Sequence, residues 1–256
     1  MEQPSAGDAR PEREEMTIQQ VLDILKHGAF ETEHGLMRWS SNHTFLVSMK
    51  YGDSMLSAVY KPQMGERRLW DFTEGTLCNR EVASFLTSQE LGWRLVPPTV
   101  LRKDAPRGLG SVQVYIDHDP EQNYFTFDES MIGPLMQLAA FDCIVNNADR
   151  KGGHCLVDEQ GRLWAIDHGI TFHAQNKLRT VIWDFAEKPV PQAFLADIER
   201  FCGKLENPES TFRQELRKLL SAEEINACQN RVHRLLESKK YPAPHASGPN
   251  YPWPPV

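Results

Sequence analysis

The residues best able to do chemistry crowd one stretch, NNADRKGGHCLVDEQGRLWAIDHG, running from Asn146 to Gly169. It sets Asp149, His154, Asp167 and His168 around two short apolar runs, CLV and LWAI. Two such runs with EQGR (Glu159 to Arg162) between them read as a hairpin, Gly161 serving the turn. Closing a four-residue loop there pairs Asp158 with Leu163, and the same antiparallel register puts His154 opposite Asp167. Asp149 precedes His154 by five residues, across the Gly152-Gly153 bend. Acidic and imidazole groups therefore converge on the open end of one hairpin. Asp-Arg and Asp-His-Gly are also common turn residues, so a polar surface turn stays open as the plainer account.

One carboxylate in such a place can accept the proton of an attacking hydroxyl. A second, with a neighbouring nitrogen or oxygen ligand, can hold Mg²⁺ or Mn²⁺ on the phosphates of a nucleotide. Phosphoryl-transfer loops use this layout: a proton-accepting Asp, a metal ligand five residues on, then a metal-binding Asp before a Gly after a nearby strand. Asp149, His154 and Asp167 fill those positions. A metal-dependent hydrolase is the alternative, with His154, Asp167, His168 and His173 activating water. Those histidines lack the i, i+4 helical spacing of common zinc sites.

Phosphoryl transfer also needs a cation on the phosphates and a group to hold that cation. Lys61 ends the strand-like run SMLSAVYKP, which Pro62 closes. Glu81 follows twenty residues later, sharing a helical stripe with Leu77 and Phe85. A carboxylate on a buried stripe is costly unless paired. Lys61 from the adjoining sheet is one partner for it; Arg80, its helix neighbour, is the other. Between the first strands, WSSNHTFL offers Ser40, Ser41 and Asn42, which could hydrogen-bond phosphate oxygens or simply form a polar turn.

The elements that must position these groups follow from periodicity. MTIQQVLDILKHG reads as a helix closed by Gly28, with Ile18, Val21, Leu22 and Leu25 on one face. GLMRW, TFLVSMKYG and SMLSAVYKP read as strands of a small antiparallel sheet, followed by a helix from Thr76 to about Leu91. PPTVLR and GSVQVYI are further strands. Helical patterns follow at MIGPLMQLAAFDCIV, at about 189–205, and in one last helix over about 208–237. In that last helix Phe212, Leu216, Leu219 and Leu220 form an apolar stripe. Trp70, Trp93, Trp164 and Trp183 read as core or lobe-interface residues, and Arg150 as a brace for the loop that carries Asp149. Strands first and helices later imply an α+β chain of two lobes with a cleft between them. The division expected is a tail over 1–16, an N-lobe over 17–116, a mostly helical C-lobe over 117–240, and a Pro-rich tail over 241–256.

Bulk properties bound the partners. The chain has 256 residues, a formal net charge of −7, and no basic stripe, which argues against nucleic-acid binding. No run of about 18 apolar residues suggests a membrane span. Five cysteines without a CxxC pair fit reduced thiols in a cytoplasm. The first residues are rich in Glu, Pro and Arg and are expected to be disordered. The last sixteen residues hold six prolines and read as an extended, solvated tail, with a Pro-motif partner as the alternative.

Taken together, VYKP with Lys61, REVASF with Glu81, NNADRKGGH with Asp149, and AIDHG with Asp167 resemble the phosphatidylinositol 3- and 4-kinase-like, HipA-related branch of the protein-kinase fold. The match is closest to a small bacterial family within it, with VYKP…GER…LWDF at 59–72, VPPTV at 96–100 and NNADRKGGH at 146–154. The resemblance spans about residues 35 to 185. It implies a two-lobed kinase-like fold and an ATP- and Mg²⁺- or Mn²⁺-dependent phosphotransferase acting on a protein or small-molecule hydroxyl. Lys61 would contact the phosphates, Glu81 would orient Lys61, Asp149 would be the catalytic base, and Asp167 the main metal ligand. Ser111 to Asp117, with Gln113, Val114 and Tyr115 at its centre, would be the hinge holding adenine through backbone groups. His154 stands where the wider branch carries Asn, and imidazole suits Mn²⁺ or Zn²⁺ better than Mg²⁺. A catalytically silent nucleotide-binding scaffold, or transfer of a nucleotidyl group instead of phosphate, would use the same site.

Overall fold

The computed structural model describes residues 16–36 and 43–256. The expected N-terminal tail up to Glu15, the Met37–Trp39 part of GLMRW, and Ser40, Ser41 and Asn42 lie outside the described residues.

Helix α1 (Ile18–His27) begins at a capping box formed by Thr17 and Gln20. It stops at Gly28, where an added Cβ would meet the Ile24 carbonyl oxygen at 2.5 Å. Five antiparallel strands follow: β1 (Ala29–Leu36), β2 (Phe45–Tyr51), β3 (Ser54–Pro62), β4 (Thr99–Arg102) and β5 (Gly110–Val114). Their spatial order is β1-β2-β3-β5-β4. Strand β1 starts well before the expected GLMRW, because Ala29 already pairs with Lys50. Its charged Glu31 and Glu33 obscure the pattern, as suits an edge strand.

Alternation sets the two faces of the sheet. Phe45, Val47, Met49, Ala58 and Tyr60 are buried and share a core with Ile24 and Leu25 of α1. Val59 and Lys61 therefore point to the opposite face. The packed side of α1 is centred on Ile24 and Leu25, whereas Ile18 of the expected stripe is exposed. The reason is a pin at the other end of the helix: Arg102 donates to the Leu25 and Gly28 carbonyls at 2.9 and 3.0 Å.

Between β3 and β4 runs α2 (Leu77–Glu90), buried on nearly all sides. The rest of the chain supplies α3 (Ile132–Val145), the short hairpin β6 (Cys155–Val157) and β7 (Leu163–Ala165), then α4 (Gln192–Glu206), α5 (Thr211–Arg217) and α6 (Ala222–Ser238). The expected single last helix is two, because Ser221 and Glu224 form a capping box that starts α6 afresh. A larger core joins α3 to α6 and also takes Phe85 and Leu91 from the region of α2. Two cores, one under the sheet and one among the helices, give the α+β, two-lobed arrangement expected. Among the described residues no helix is long and apolar enough to cross a membrane.

Two expectations are corrected at the surface. Trp70 is 93% exposed and belongs to neither core. The Pro-rich end is not a free tail: Thr180 N and Trp183 Nε1 donate to the Asn250 carbonyl at 3.1 and 3.0 Å, and Gly152 N donates to the Pro255 carbonyl at 2.8 Å. Proline withholds a donor but leaves a carbonyl, so such a segment docks well wherever loops present spare N–H groups.

Candidate active site

Lys61 reaches the cleft because it alternates with the buried Tyr60 and Pro62 on β3. Its ammonium donates to Glu81 Oε1 at 2.5 Å and to Asp167 Oδ1 at 2.9 Å. Glu81 is 3% exposed on α2, and its second oxygen accepts from His168 N at 3.0 Å. The buried-stripe argument thus finds Lys61, while Arg80 turns away to the Thr171 carbonyl and Glu224. Burial alone would push the Lys61 ammonium down; the carboxylates of Asp167 and Glu81 outweigh it and hold it above its ordinary value.

The loop after α3 is built from its own polar side chains. Asn146 ends the helix in the left-handed region, φ 55°, and donates to the His173 and Gln175 carbonyls. Asn147 bonds Asp142 Oδ1 and accepts from Asp149 N at 2.9 Å. Arg150 is fully buried and grips both oxygens of Asp142, at 2.9 and 3.0 Å. It also donates to the Ile166 carbonyl at 2.9 Å, tying this loop to the end of β7. With backbone and neighbours held, Asp149 is presented to the cleft with its carboxylate 3.9 Å from the Lys151 ammonium. Burial, with the charge of Asp167 adding to it, raises the Asp149 carboxyl to about 6 against the pull of Lys151, Arg150 and Arg179.

The hairpin register differs from expectation by one residue. Val157 pairs with Leu163 and Cys155 with Ala165, so His154 lies level with Ile166. The cause is Asp158, whose carboxylate caps the Gln160 and Arg162 amides and draws itself into the turn. Such a slip should send the two side chains to opposite faces. They meet nevertheless, His154 Nε2 lying 3.3 Å from Asp167 Oδ2, because both sit outside the ladder. His154 is in a single 3-10 turn and Asp167 is left-handed, φ 59°. Burial lowers the His154 imidazole to about 4 despite Asp167 beside it, so it is neutral near pH 7. Burial would raise Asp167, but Lys61 and then His154 hold it well below the usual carboxylate range.

Three hollows meet along this line. One of about 290 Å³ is lined by Gln113, Val114, Tyr115 and Ile116 together with Lys61, His154 and Asp167. A narrow one of about 40 Å³ joins Lys61, Glu81 and Asp167 to Asp149. A third of about 330 Å³ opens on the far side of Asp149. Within the expected hinge, the Val114 and Tyr115 amides are already committed to the Pro98 and Ser57 carbonyls. Those two amides are therefore not free to donate to a ligand in this hollow.

The four residues of the alternative hydrolase are not brought to one point. His168 is buried and its Nε2 accepts from Arg150 at 2.7 Å; His173 uses both ring nitrogens, on the Asp71 carbonyl and the Gln175 amide. Neither has a lone pair for a metal beside Asp167. Sequence reasoning missed two contributors. Asp142 was signalled by its position as the one charge in the apolar run LAAFDCIV. Glu66, of the GER motif, caps the Cys78 amide at 2.9 Å and leaves Oε2 buried without a partner, on the wall of the narrow hollow.

No family model matches the chain. It is 36% identical over 255 residues to Protein Rv2133c of Mycobacterium tuberculosis, covering 86% of this chain and 90% of that protein. The chain belongs to the family of that protein. Among solved structures it is similar to that of the golgi casein kinase, at 14% identity and a TM-score of 0.49, over 89% of this chain and 79% of the other. It is also similar to the Helicobacter pylori proinflammatory kinase CtkA, at 12% identity and a TM-score of 0.47, over 82% of this chain and 97% of the other.

Proposed function

We propose that this family member is an ATP- and divalent-metal-dependent phosphotransferase, passing the γ-phosphate to a hydroxyl. The observation that carries the reading is Lys61, held between Glu81 and Asp167 on one wall of a hollow that Asp149 closes on the other. A lysine on the third strand, a glutamate on the next helix and two acids after the long apolar helix match the working parts of a kinase. The short catalytic motifs favour the phosphatidylinositol 3-/4-kinase-like, HipA-related branch, with the lobes dividing near residue 116. Five unpaired cysteines suit a reducing cytoplasm.

Asp149 acts as the base. The acceptor oxygen attacks the γ-phosphorus, its proton passes to the Asp149 carboxylate, and the bond from that phosphorus to the bridging oxygen breaks. Nucleoside diphosphate leaves with its new charge near the Lys61 ammonium. Lys61 binds the phosphates, Glu81 fixes Lys61, and Arg150 with Asn147 keeps Asp149 in place. The 290 Å³ hollow beside Gln113, Val114 and Tyr115 takes the base of the nucleotide. Two donors fit a divalent cation: Asp167 Oδ2 and, 3.3 Å from it, the neutral His154 imidazole would hold it. Such a cation supplies charge neutralisation on the phosphates.

A thermal-shift matrix of nucleotides against metals tests this. Mg-ATP or Mn-ATP at about 100 times its dissociation constant should add about 2.7 kcal/mol. At about 2–4 °C per kcal/mol, the melt moves by several degrees. Asp167→Ala removes the metal dependence of that shift. No shift with any metal at millimolar nucleotide rules the reading out.

A further inference from the structure

The hollow of about 330 Å³ beyond Asp149 has no assigned occupant. It shares Leu77, Asp149 and Ile170 with the narrow hollow, which in turn shares Lys61 and Asp167 with the one by the hinge. The three thus lie in series, with Lys61 and Asp167 at one junction and Asp149 at the other. If the nucleotide enters from the hinge side, the group that receives its phosphate enters from this one.

Its chemistry is unlike the rest of the molecule. The chain carries a net charge of −7, yet Arg67, Lys151 and Arg179 all line this hollow. Two carboxylates line it as well, and one of them, Asp71, is already held by Lys177 at 2.7 Å. Arg179 is fixed to the catalytic loop through its backbone, donating to the Asn147 carbonyl and accepting from Arg150 N at 2.9 and 3.0 Å. Its Nε is nevertheless buried with no partner. A buried guanidinium nitrogen left unmatched beside a cavity is costly and asks for an acceptor from a ligand.

The rim carries two indoles, Trp70 and Trp253, 93% and 89% exposed. Trp253 is brought there by the docked C-terminal segment, through the Gly152–Pro255 and Thr180–Asn250 bonds. Exposed indole faces on the rim of a cationic pocket suit a ring of C–H groups bearing hydroxyls. The volume matches the lower end of small-molecule sites, about 300 Å³.

We infer that this hollow is the acceptor site and takes a small anionic alcohol: a ring polyol carrying a phosphate or carboxylate. The anion faces Arg179 and Lys151, the ring lies against Trp70 or Trp253, and a free hydroxyl meets Asp149. This rests on the phosphotransferase reading. The reaction is then oxygen-to-phosphorus bond formation at that hydroxyl, proton transfer to Asp149, and departure of nucleoside diphosphate.

The test uses the full chain saturated with a non-hydrolysable Mg- or Mn-ATP analogue, read by tryptophan fluorescence. Probes are glucose 6-phosphate, ribose 5-phosphate and glucuronate, each against glucose or ribose, with inorganic phosphate and a serine-containing acidic peptide alongside. At least one anionic polyol should bind tenfold or more tighter than its neutral parent and tighter than inorganic phosphate. Arg179→Gln should erase that preference while leaving the neutral sugar and the Mg-ATP melting shift unchanged, and Arg179→Lys should restore part of it. Trp253→Ala should weaken sugar-bearing probes but not inorganic phosphate. Equal binding of charged and neutral probes, tighter binding of the peptide than of every polyol, or an unaltered preference in Arg179→Gln overturns the assignment while the Mg-ATP shift persists. Loss of the Mg-ATP shift in the wild type overturns the phosphotransferase reading itself, and this with it.

Discussion

Lys61 Nζ donates to Asp167 Oδ1 across 2.9 Å, joining residues 106 positions apart in the chain. One belongs to the sheet, the other to the turn after the β6–β7 hairpin, and Glu81 bridges both by accepting from Lys61 and from the His168 amide. Cation and carboxylates are thus assembled with no ligand present. Little reorganisation would remain for the phosphoryl transfer proposed above.

Lys61→Met leaves Glu81, 3% exposed, with no cationic partner. Breaking one side of a buried pair costs about 3–5 kcal/mol. Urea unfolding should show a loss at the lower end of that range, since the His168 amide still serves the carboxylate. The double variant Lys61→Met/Glu81→Gln should recover most of the stability and none of the transfer activity.

The Asp149 carboxyl is raised by burial to about 6 from an ordinary 3.8. Below about pH 3 both folded and unfolded chains hold its proton, and it has no effect on stability. As pH rises towards 6 the unfolded chain ionises first, so folding is progressively disfavoured, and above 6 the penalty is constant. Asp149→Asn should therefore stabilise the nucleotide-free protein by about 1–3 kcal/mol at pH 8 and hardly at all at pH 3. Thermal melts across that range check it, and equal gains at both pH values would contradict it.

Arg150 and Asp142 are 0% and 1% exposed and form a two-point pair inside the helical lobe. Arg150→Met strands a buried carboxylate and should cost about 3–5 kcal/mol. It also frees the Asp149 loop from Ile166, so hydrogen exchange at Ala148–Lys151 should rise more than in α4 or α6.

Imidazole is a poor ligand for Mg²⁺ and a better one for Mn²⁺. His154→Asn should shift the metal preference of nucleotide binding towards Mg²⁺, read as the ratio of Mg-ATP to Mn-ATP melting shifts. An unchanged ratio removes His154 from the ligand set.

Much of the site's layout is legible in the sequence. SMLSAVYKP reads as a strand ending in Lys61, and the cost of an unpaired Glu81 on the stripe through Leu77 and Phe85 points to Lys61 as its partner. What escaped was local competition. Asp158 is a better turn residue than strand residue, so the hairpin shifted by one position. Ser221 with Glu224 is a helix start inside what periodicity alone reads as one continuous helix. The Pro-rich end has few side chains to bury, and its docking is written in backbone carbonyls, which no pattern of apolar residues reveals.

That docking has a practical side. Anything attached beside this segment sits close to the Pro255 carbonyl that accepts from Gly152 N. Purification handles and fluorescent reporters placed there would crowd the hollow beyond Asp149, the acceptor site inferred above, and an apparently inert preparation could owe its silence to the vector.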